Sequence, residues 1–296
     1  MPVLAPVSVR SVERPSPSFV RIELGGPALA DFGVDGPTYD QRFKLLLPGP
    51  AGLPTLPEEG WWAALQALPE GERCVVRTYT IREVRGRDAG TRIVVDLVLH
   101  PGAHGPGSAW AAAAAVGDEV MVCVPRRGEP FGGIEWDPGH TDRLLVVGDE
   151  TAVPAVASIL GSLPGDAGGA VFLEVPEDAD VQELAGPAGV VVTWLPRSGA
   201  PVGSRAVAAV ADHLGFRSAP SASSEVDPDL WETPTYSSSG EPLGATVAPT
   251  DDRYAWIAGE AGMVTTLRRH LVGELRLPRH QVAFMGYWRT GVAMRG

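Results

Sequence analysis

Residues 74–82 read CVVRTYTIR, a β-branched and aromatic run. Period-two alternation puts Arg77, Tyr79 and Ile81 on one strand face and Val76, Thr78 and Thr80 on the other. Residues 85–90 are turn-forming and 92–100 alternate again, which predicts two strands joined by a turn. Similar short runs occupy 3–10, 18–24, 42–47 and 119–124, the last ended by Pro125. Between them lie a turn-rich loop at 48–60 and one or two helical turns at 61–68. The first half therefore predicts a small closed or partly closed antiparallel barrel.

Before the last of these strands comes PGAHGPGSAWAAAAAVGD, whose alanines predict a helix from Ser108, as its N-cap, to Gly117. After Asp142 strands and helices alternate. Strands are predicted at 144–147, 170–175, 190–195, 254–258 and 282–288. Helices are predicted after Gly148, at 204–214 and from Gly259, with a short one at 178–184. This is a doubly wound α/β pattern with a mostly parallel sheet, whose ligands bind beyond the carboxyl ends of the strands. Two such ends carry suitable residues, Gly148-Asp149-Glu150-Thr151 and Gly259-Glu260. Neither is the GxGxxG fingerprint, so spacing alone does not make a nucleotide site. The expected domains are 1–140, the barrel, and 141–296, the α/β domain. The latter carries a Ser-, Pro- and acid-rich insertion at about 218–252, either a lid or a solvated excursion anchored by WETP at 231–234.

Composition narrows the function. The 296 residues suffice for two cores, and 44% hydrophobic with 20% charged residues fits a soluble protein. No apolar run reaches membrane-spanning length, and the start of the chain lacks a signal-peptide layout. Cys74 and Cys123 have no metal spacing and no disulfide framework, so a reducing cytoplasm is expected. A net charge of −12 argues against nucleic acid or an anionic membrane as partner. Of 24 basic residues only Lys44 is lysine, inside FKLLLP; it is either an edge lysine snorkelling to water or a functional cation.

Two features carry chemistry. A guanidinium two residues from a phenol on one strand face suits a ligand with both an anion and a flat ring, although a surface Arg beside a half-buried Tyr has the same spacing. A glycine-rich approach to a helix N-terminus leaves free amides that favour a phosphate, although an ordinary capped helix reads alike.

Eight stretches occur together in one order: FKLLLP (43–48), RTYTIR (77–82), VDLVLH (95–100), GPGSAWA (105–111), GDETAVPA (148–155), LWETP (230–234), WIAGE (256–260) and GYWRTG (286–291). With a barrel followed by an α/β domain, the chain closely resembles the siderophore-interacting proteins, the FAD-dependent ferric-siderophore reductases of ferredoxin-reductase-like fold. The resemblance spans nearly the whole chain. It departs at Gly105-Pro106-Gly107, which has a second glycine where many relatives read GPA, and in the long acidic segment before Tyr254.

The resemblance implies FAD in the barrel. Arg77 would meet its phosphates, Tyr79 would pack along the ring or ribityl chain, and Thr80 would hydrogen-bond the ring. Because alternation puts Thr80 opposite Tyr79, the strand must end or twist there, or Thr80 must act through its backbone. Asp96 joins the cofactor-binding group, and His100 would lie on the adenine or phosphate side. Gly107, Ser108 and Ala109 would offer amides to the pyrophosphate. Gly148, Asp149, Glu150, Gly259 and Glu260 would line the NAD(P)H side, with Thr151 at the domain junction.

Iron is substrate, not resident metal, and no side chain is assigned as a catalytic acid or nucleophile. Lys44 and Arg289 match the family's basic positions and would hold an anionic ferric siderophore, unless Arg289 pairs with Glu260. Arg268 and Arg269 are less defined, because their helix face is not fixed. The donor would be NADPH, NADH or ferredoxin, with NADPH favoured if Arg197 reads a 2′-phosphate rather than lying free on the surface. The family is often monomeric. Two other readings share these residues: a general NAD(P)H–flavin oxidoreductase, and a siderophore-binding protein without redox turnover.

Overall fold

In a computed structural model the chain forms two units, Met1–Ile134 and Glu135–Met294. The structure describes residues 1–99, 105–139, 141, 143–216, 231–232 and 253–291. His100 and most of 218–252 lie outside the described residues.

The first unit contains β1 (Val3–Ser16), β2 (Phe19–Gly25), β3 (Arg42–Leu47), α1 (Trp61–Ala67), β4 (Val75–Thr80), β5 (Glu83–Arg85), β6 (Arg92–Val98), α2 (Pro106–Ala113) and β7 (Glu119–Val124). Its sheet runs β4-β3-β7-β1-β2-β6-β5, antiparallel throughout. β4 and β5 end that order on opposite edges, yet only Ile81 and Arg82 separate them in sequence. Ile81 N–H donates to Gln41 O on one edge, and Arg82 N–H donates to Val94 O on the other, both at 2.9 Å. The sheet is thus curled until its edges meet. Val9, Ile22, Leu45, Ile93 and Val122 fill its interior, and Ala111 of α2 packs into the same core.

Two expectations change here. The run at 74–82 does not pair with 92–100. β4 lies on β3, with Phe43 opposite Tyr79 and Leu45 opposite Arg77, while β6 takes β5 as its hairpin partner. The chain crosses over after Thr80, where the Ile81 amide still reaches Gln41 and the Arg82 amide already reaches Val94. β4 ends at Thr80, which still sits in register opposite Arg42, so Thr80 keeps the face opposite Tyr79. The second change is in α2. It starts at Pro106, with Gly105 as the N-cap, and no side chain caps it. Proline's fixed φ and missing N–H suit a first helical position. Ser108 therefore sits within the first turn, and α2 stops at Ala113, ahead of Gly117.

The second unit contains β8 (Arg143–Gly148), α3 (Val153–Ser162), β9 (Gly168–Val175), β10 (Gly189–Pro196), α4 (Ser204–Leu214), β11 (Trp231–Glu232), β12 (Arg253–Glu260), α5 (Ala261–Arg268) and β13 (Val282–Trp288). The sheet runs β10-β9-β8-β12-β13-β11, parallel except for β11. β11 is the one described part of the predicted insertion. The helix expected at 178–184 shrinks to a 3-10 turn, Asp178–Asp180, and α5 continues into a π-helical turn, Arg269–Glu274. Apolar residues of β8, β12, β13, α4 and α5 form the core, among them Val147, Ile257, Phe284, Val210 and Leu267. The strand order reverses between β8 and β12, so their carboxyl ends form the switch point where α/β sheets bind ligands. Among the described residues no helix is long and apolar enough to cross a membrane.

Candidate functional site

In the first unit, β4 and the start of α2 meet. A Cβ built on buried Gly107 would lie 2.4 Å from Tyr79 Oη and 3.8 Å from Arg77 Cγ. The glycine therefore permits this close approach, and a side chain there would force the phenol to shift. Arg77 and Tyr79 share the β4 face that turns to α2, as alternation predicts. Arg77 Nη1 donates to Val76 O at 2.7 Å, and Arg77 has no carboxylate partner among the described residues. Burial pushes the Tyr79 phenol up to about 12, against a smaller opposing pull from Arg77, so it stays a neutral hydroxyl.

At α2, Ala109 N–H already donates to the Gly105 carbonyl at 3.0 Å, so Ala109 is not a free donor. The Gly107 and Ser108 amides precede the helical ladder and meet no capping side chain. A guanidinium, a phenol and two open amides thus converge. This arrangement fits a flat ring joined to a phosphate, and so fits FAD.

Asp96 does not fit a ligand-contacting role. Its buried carboxylate takes two bonds from Arg21, at 2.7 and 2.9 Å, and an ion pair from Arg82 at 3.1 Å. It ties β2 and β6 to the crossover instead.

Lys44, half-buried on β3, donates to Thr78 Oγ1 at 2.8 Å, across from Cys123 on its other side. It has no carboxylate partner among the described residues. Burial, then Arg42, lowers its pKa. It shares the face of Thr78 and Val76, opposite Arg77 and Tyr79.

In the second unit, the residues at the ends of β8 and β12 come together as predicted, but as a closed network. Asp149 is fully buried. Its Oδ1 accepts from Thr151 N and Thr151 Oγ1 at 2.9 and 2.5 Å, and its Oδ2 accepts from Glu260 N and Trp288 Nε1, both at 2.7 Å. Glu260 is the N-cap of α5, accepting from Gly262 and Met263. Gly259 has φ +141°, and a Cβ there would fall 2.6 Å from the Asp149 carboxyl, so only glycine lets β12 pass. Gly148 likewise admits α3, since its Cβ would meet Ala152 Cβ at 2.5 Å.

Arg197 is not a surface arginine, and it is not free to read a phosphate. It is buried and clamps Glu150 through both nitrogens, at 2.6 and 2.8 Å. Its Nη1 also lies 3.4 Å from Glu174, a residue outside every sequence motif. Glu174 in turn accepts from Gly203, Arg205 and Ala206 at the start of α4. Its signal in the sequence was one acid in the apolar run VFLEV of β9. Of the three helix starts here, those of α4 and α5 are covered by carboxylates. The start of α3 is closed as well: the Thr151 amide goes to the Asp149 carboxylate, the Ala152 and Val153 amides go to the Asp149 and Glu150 carbonyls, and Pro154 has none.

Arg289 makes no hydrogen bond or ion pair among the described residues. Glu260 instead receives the Thr290 amide at 3.2 Å, so the alternative pairing of Arg289 with Glu260 is absent.

The buried carboxylate has a measurable consequence. Desolvation, and then Glu150, push Asp149 up from 3.8 to about 7. Its folded pKa lies above its unfolded one, so its contribution to stability is fully present below about pH 4 and lost as pH rises through about 7. Asp149→Asn is expected to flatten that window. Urea midpoints of the second unit at pH 5 and pH 8 should differ less in the variant than in the parent; an unchanged difference contradicts the assignment.

Comparisons with known proteins cover both units. Residues 8–129 match the siderophore-interacting FAD-binding domain, and residues 141–291 match the siderophore-interacting protein family. An uncharacterised Mycobacterium tuberculosis protein is 37% identical over 186 residues; the match spans 62% of this chain and 62% of that relative. Ferric vibriobactin reductase of Vibrio cholerae is 28% identical, covering 93% of this chain and 86% of its own. The NADPH-dependent ferric-chelate reductase of Escherichia coli is 28% identical, covering 96% and 92%. The crystal structure of a siderophore utilization protein from T. fusca is 30% identical, with TM-score 0.67, covering 98% of this chain and 94% of that one.

Proposed function

The chain belongs to the siderophore-interacting protein family, and from that premise we propose that it is an FAD-dependent reductase of ferric siderophores, with NAD(P)H as electron donor. The observation that carries this reading is the convergence of Arg77, Tyr79 and the open Gly107 and Ser108 amides, within the stretch that matches an FAD-binding domain.

Arg77 and the two amides hold the pyrophosphate, Tyr79 packs along the cofactor, and Thr80, at the end of β4, offers its hydroxyl or backbone to the ring. Bound FAD supplies the match between a two-electron hydride donor and iron, which accepts one electron at a time. One added electron turns a hard ferric ion into softer Fe(II), which hard oxygen ligands hold less tightly, so the chelator survives release. The donor is assigned to the second unit, beyond the carboxyl ends of β8 and β12. The NADPH-dependent relative supports NADPH as that donor. No helix among the described residues is long and apolar enough to cross a membrane.

Lys44 in the first unit and Arg289 in the second, each without a carboxylate partner among the described residues, are each by itself a candidate to contact an anionic chelate. Their positive charge offsets the repulsion between such a substrate and a chain of net charge −12. Lys44→Ala is expected to raise the KM for an anionic ferric siderophore about tenfold, the worth of one charge-assisted contact, with FAD content unchanged. Equal KM values remove Lys44 from the substrate site.

Turnover decides between this function and a general flavin reductase. With NAD(P)H in excess, kcat/KM for ferric siderophores should exceed that for quinones and cytochrome c. A preference for quinone or cytochrome contradicts the assignment.

A further inference from the structure

Arg289 is held on both sides by carboxylates that were expected to face a nucleotide. Trp288 Nε1 donates to Asp149 Oδ2 at 2.7 Å, and Thr290 N–H donates to Glu260 Oε1 at 3.2 Å. The two carboxylates are themselves locked together, because Glu260 N–H donates to Asp149 Oδ2 at 2.7 Å. Thr151 holds the other Asp149 oxygen, and Gly262 and Met263 hold Glu260 Oε2. The register of β12 on β13 shifts at this point, with Glu260 opposite Trp288 while Gly259 is opposite Gly286. The shift brings both residues beside Arg289 to the switch point.

One tie anchors the Trp288 side chain and the other the Thr290 backbone amide, on either side of an arginine whose guanidinium stays unspent among the described residues. A long cationic side chain loses much rotamer freedom on binding, and a fixed stem lowers what remains to be lost. We propose that Asp149 and Glu260 are positioning residues for Arg289: through Trp288 and Thr290 they fix the stem from which its guanidinium meets an anionic ferric chelate. This rests on the reductase reading above. It also accounts for Asp149 and Glu260 having no acceptor turned to a dinucleotide.

Trp288→Phe tests it, since the variant keeps an aromatic ring while losing the indole donor along with part of the ring's bulk. The probes are a ferric tris-catecholate, which is anionic, and a neutral ferric tris-hydroxamate, assayed with the FAD-loaded full chain. The KM for the catecholate complex should rise about five- to tenfold, with the kcat at saturation, the KM for NAD(P)H and the KM for the hydroxamate complex unchanged. In an Arg289→Ala background, which itself raises the catecholate KM, Trp288→Phe should add nothing further. An equal rise in that background overturns the proposal, as does an equal rise for both chelates. If Arg289→Ala raises the KM and Trp288→Phe alone does not, the positioning role falls and the reductase reading stands. If the parent protein reduces neither chelate, both fall.

Discussion

Gly107→Val is expected to yield a colourless protein whose FAD affinity is lowered at least about 100-fold. The first carbon of the new side chain would already lie 2.4 Å from Tyr79 Oη, and the two valine methyls would extend from it into the space where β4 and α2 converge. The phenol must move, and the Gly107 and Ser108 amides lose their approach to the pyrophosphate. Hydrogen bonds to a charged group are worth about 1.5–3 kcal/mol each, so losing two costs about 3 kcal/mol or more, at least about two decades of affinity. Arg77→Ala removes one charged contact and leaves the cradle open, so its loss should be smaller, about 10- to 100-fold. Fluorescence titration of the apoprotein with FAD measures both. Parent-like affinity in Gly107→Val means that FAD does not sit against α2.

Arg197→Met is expected to lower the melting midpoint of the second unit by about 6–20 °C. Glu150 and Glu174 are 1% and 0% exposed, and Arg197 is the cation between them. Removing one partner of a buried pair strands the other charge, at a cost of about 3–5 kcal/mol, and each kcal/mol moves the midpoint of a unit this size by about 2–4 °C. Arg197→Lys keeps the charge but not the two-pronged grip on Glu150, so its midpoint should fall between the two. Calorimetry should resolve the two units as separate transitions, with the first unmoved. A midpoint within 2 °C of the parent would mean that Arg197 is not the counter-ion of this network.

The elements whose chemistry is local were legible in the sequence. β3, β7, α4 and β13 have the predicted limits, because alternation or an apolar helical stripe is bounded on both sides by turn residues or proline. That the strands ending at Gly148 and Gly259 belong to one parallel sheet was legible from the alternation of strands and helices. What escaped depends on partners far away in the chain. The crossover at Ile81 is visible only once Gln41 and Val94 are known to face each other across the curled sheet. The start of α2 was misplaced because Ser108 looks like a cap, whereas Pro106 two residues earlier already has helical geometry. Arg197 reads as a phosphate reader or a free surface residue until Glu150, in the turn after β8, and Glu174, on β9, close on it. The donor of Trp288 belongs to a recognised motif, but its acceptor lies 139 positions away.

The most direct test of the account follows a single reaction cycle. Purified protein should carry FAD, with a yellow flavin spectrum. Under anaerobic conditions NAD(P)H should bleach it, and a ferric siderophore added after removal of excess donor should restore the colour as Fe(II) is trapped by a ferrous-specific chelator, two ferric ions per flavin. A protein that takes up no FAD, or a bleached flavin that the ferric siderophore leaves reduced, would contradict it.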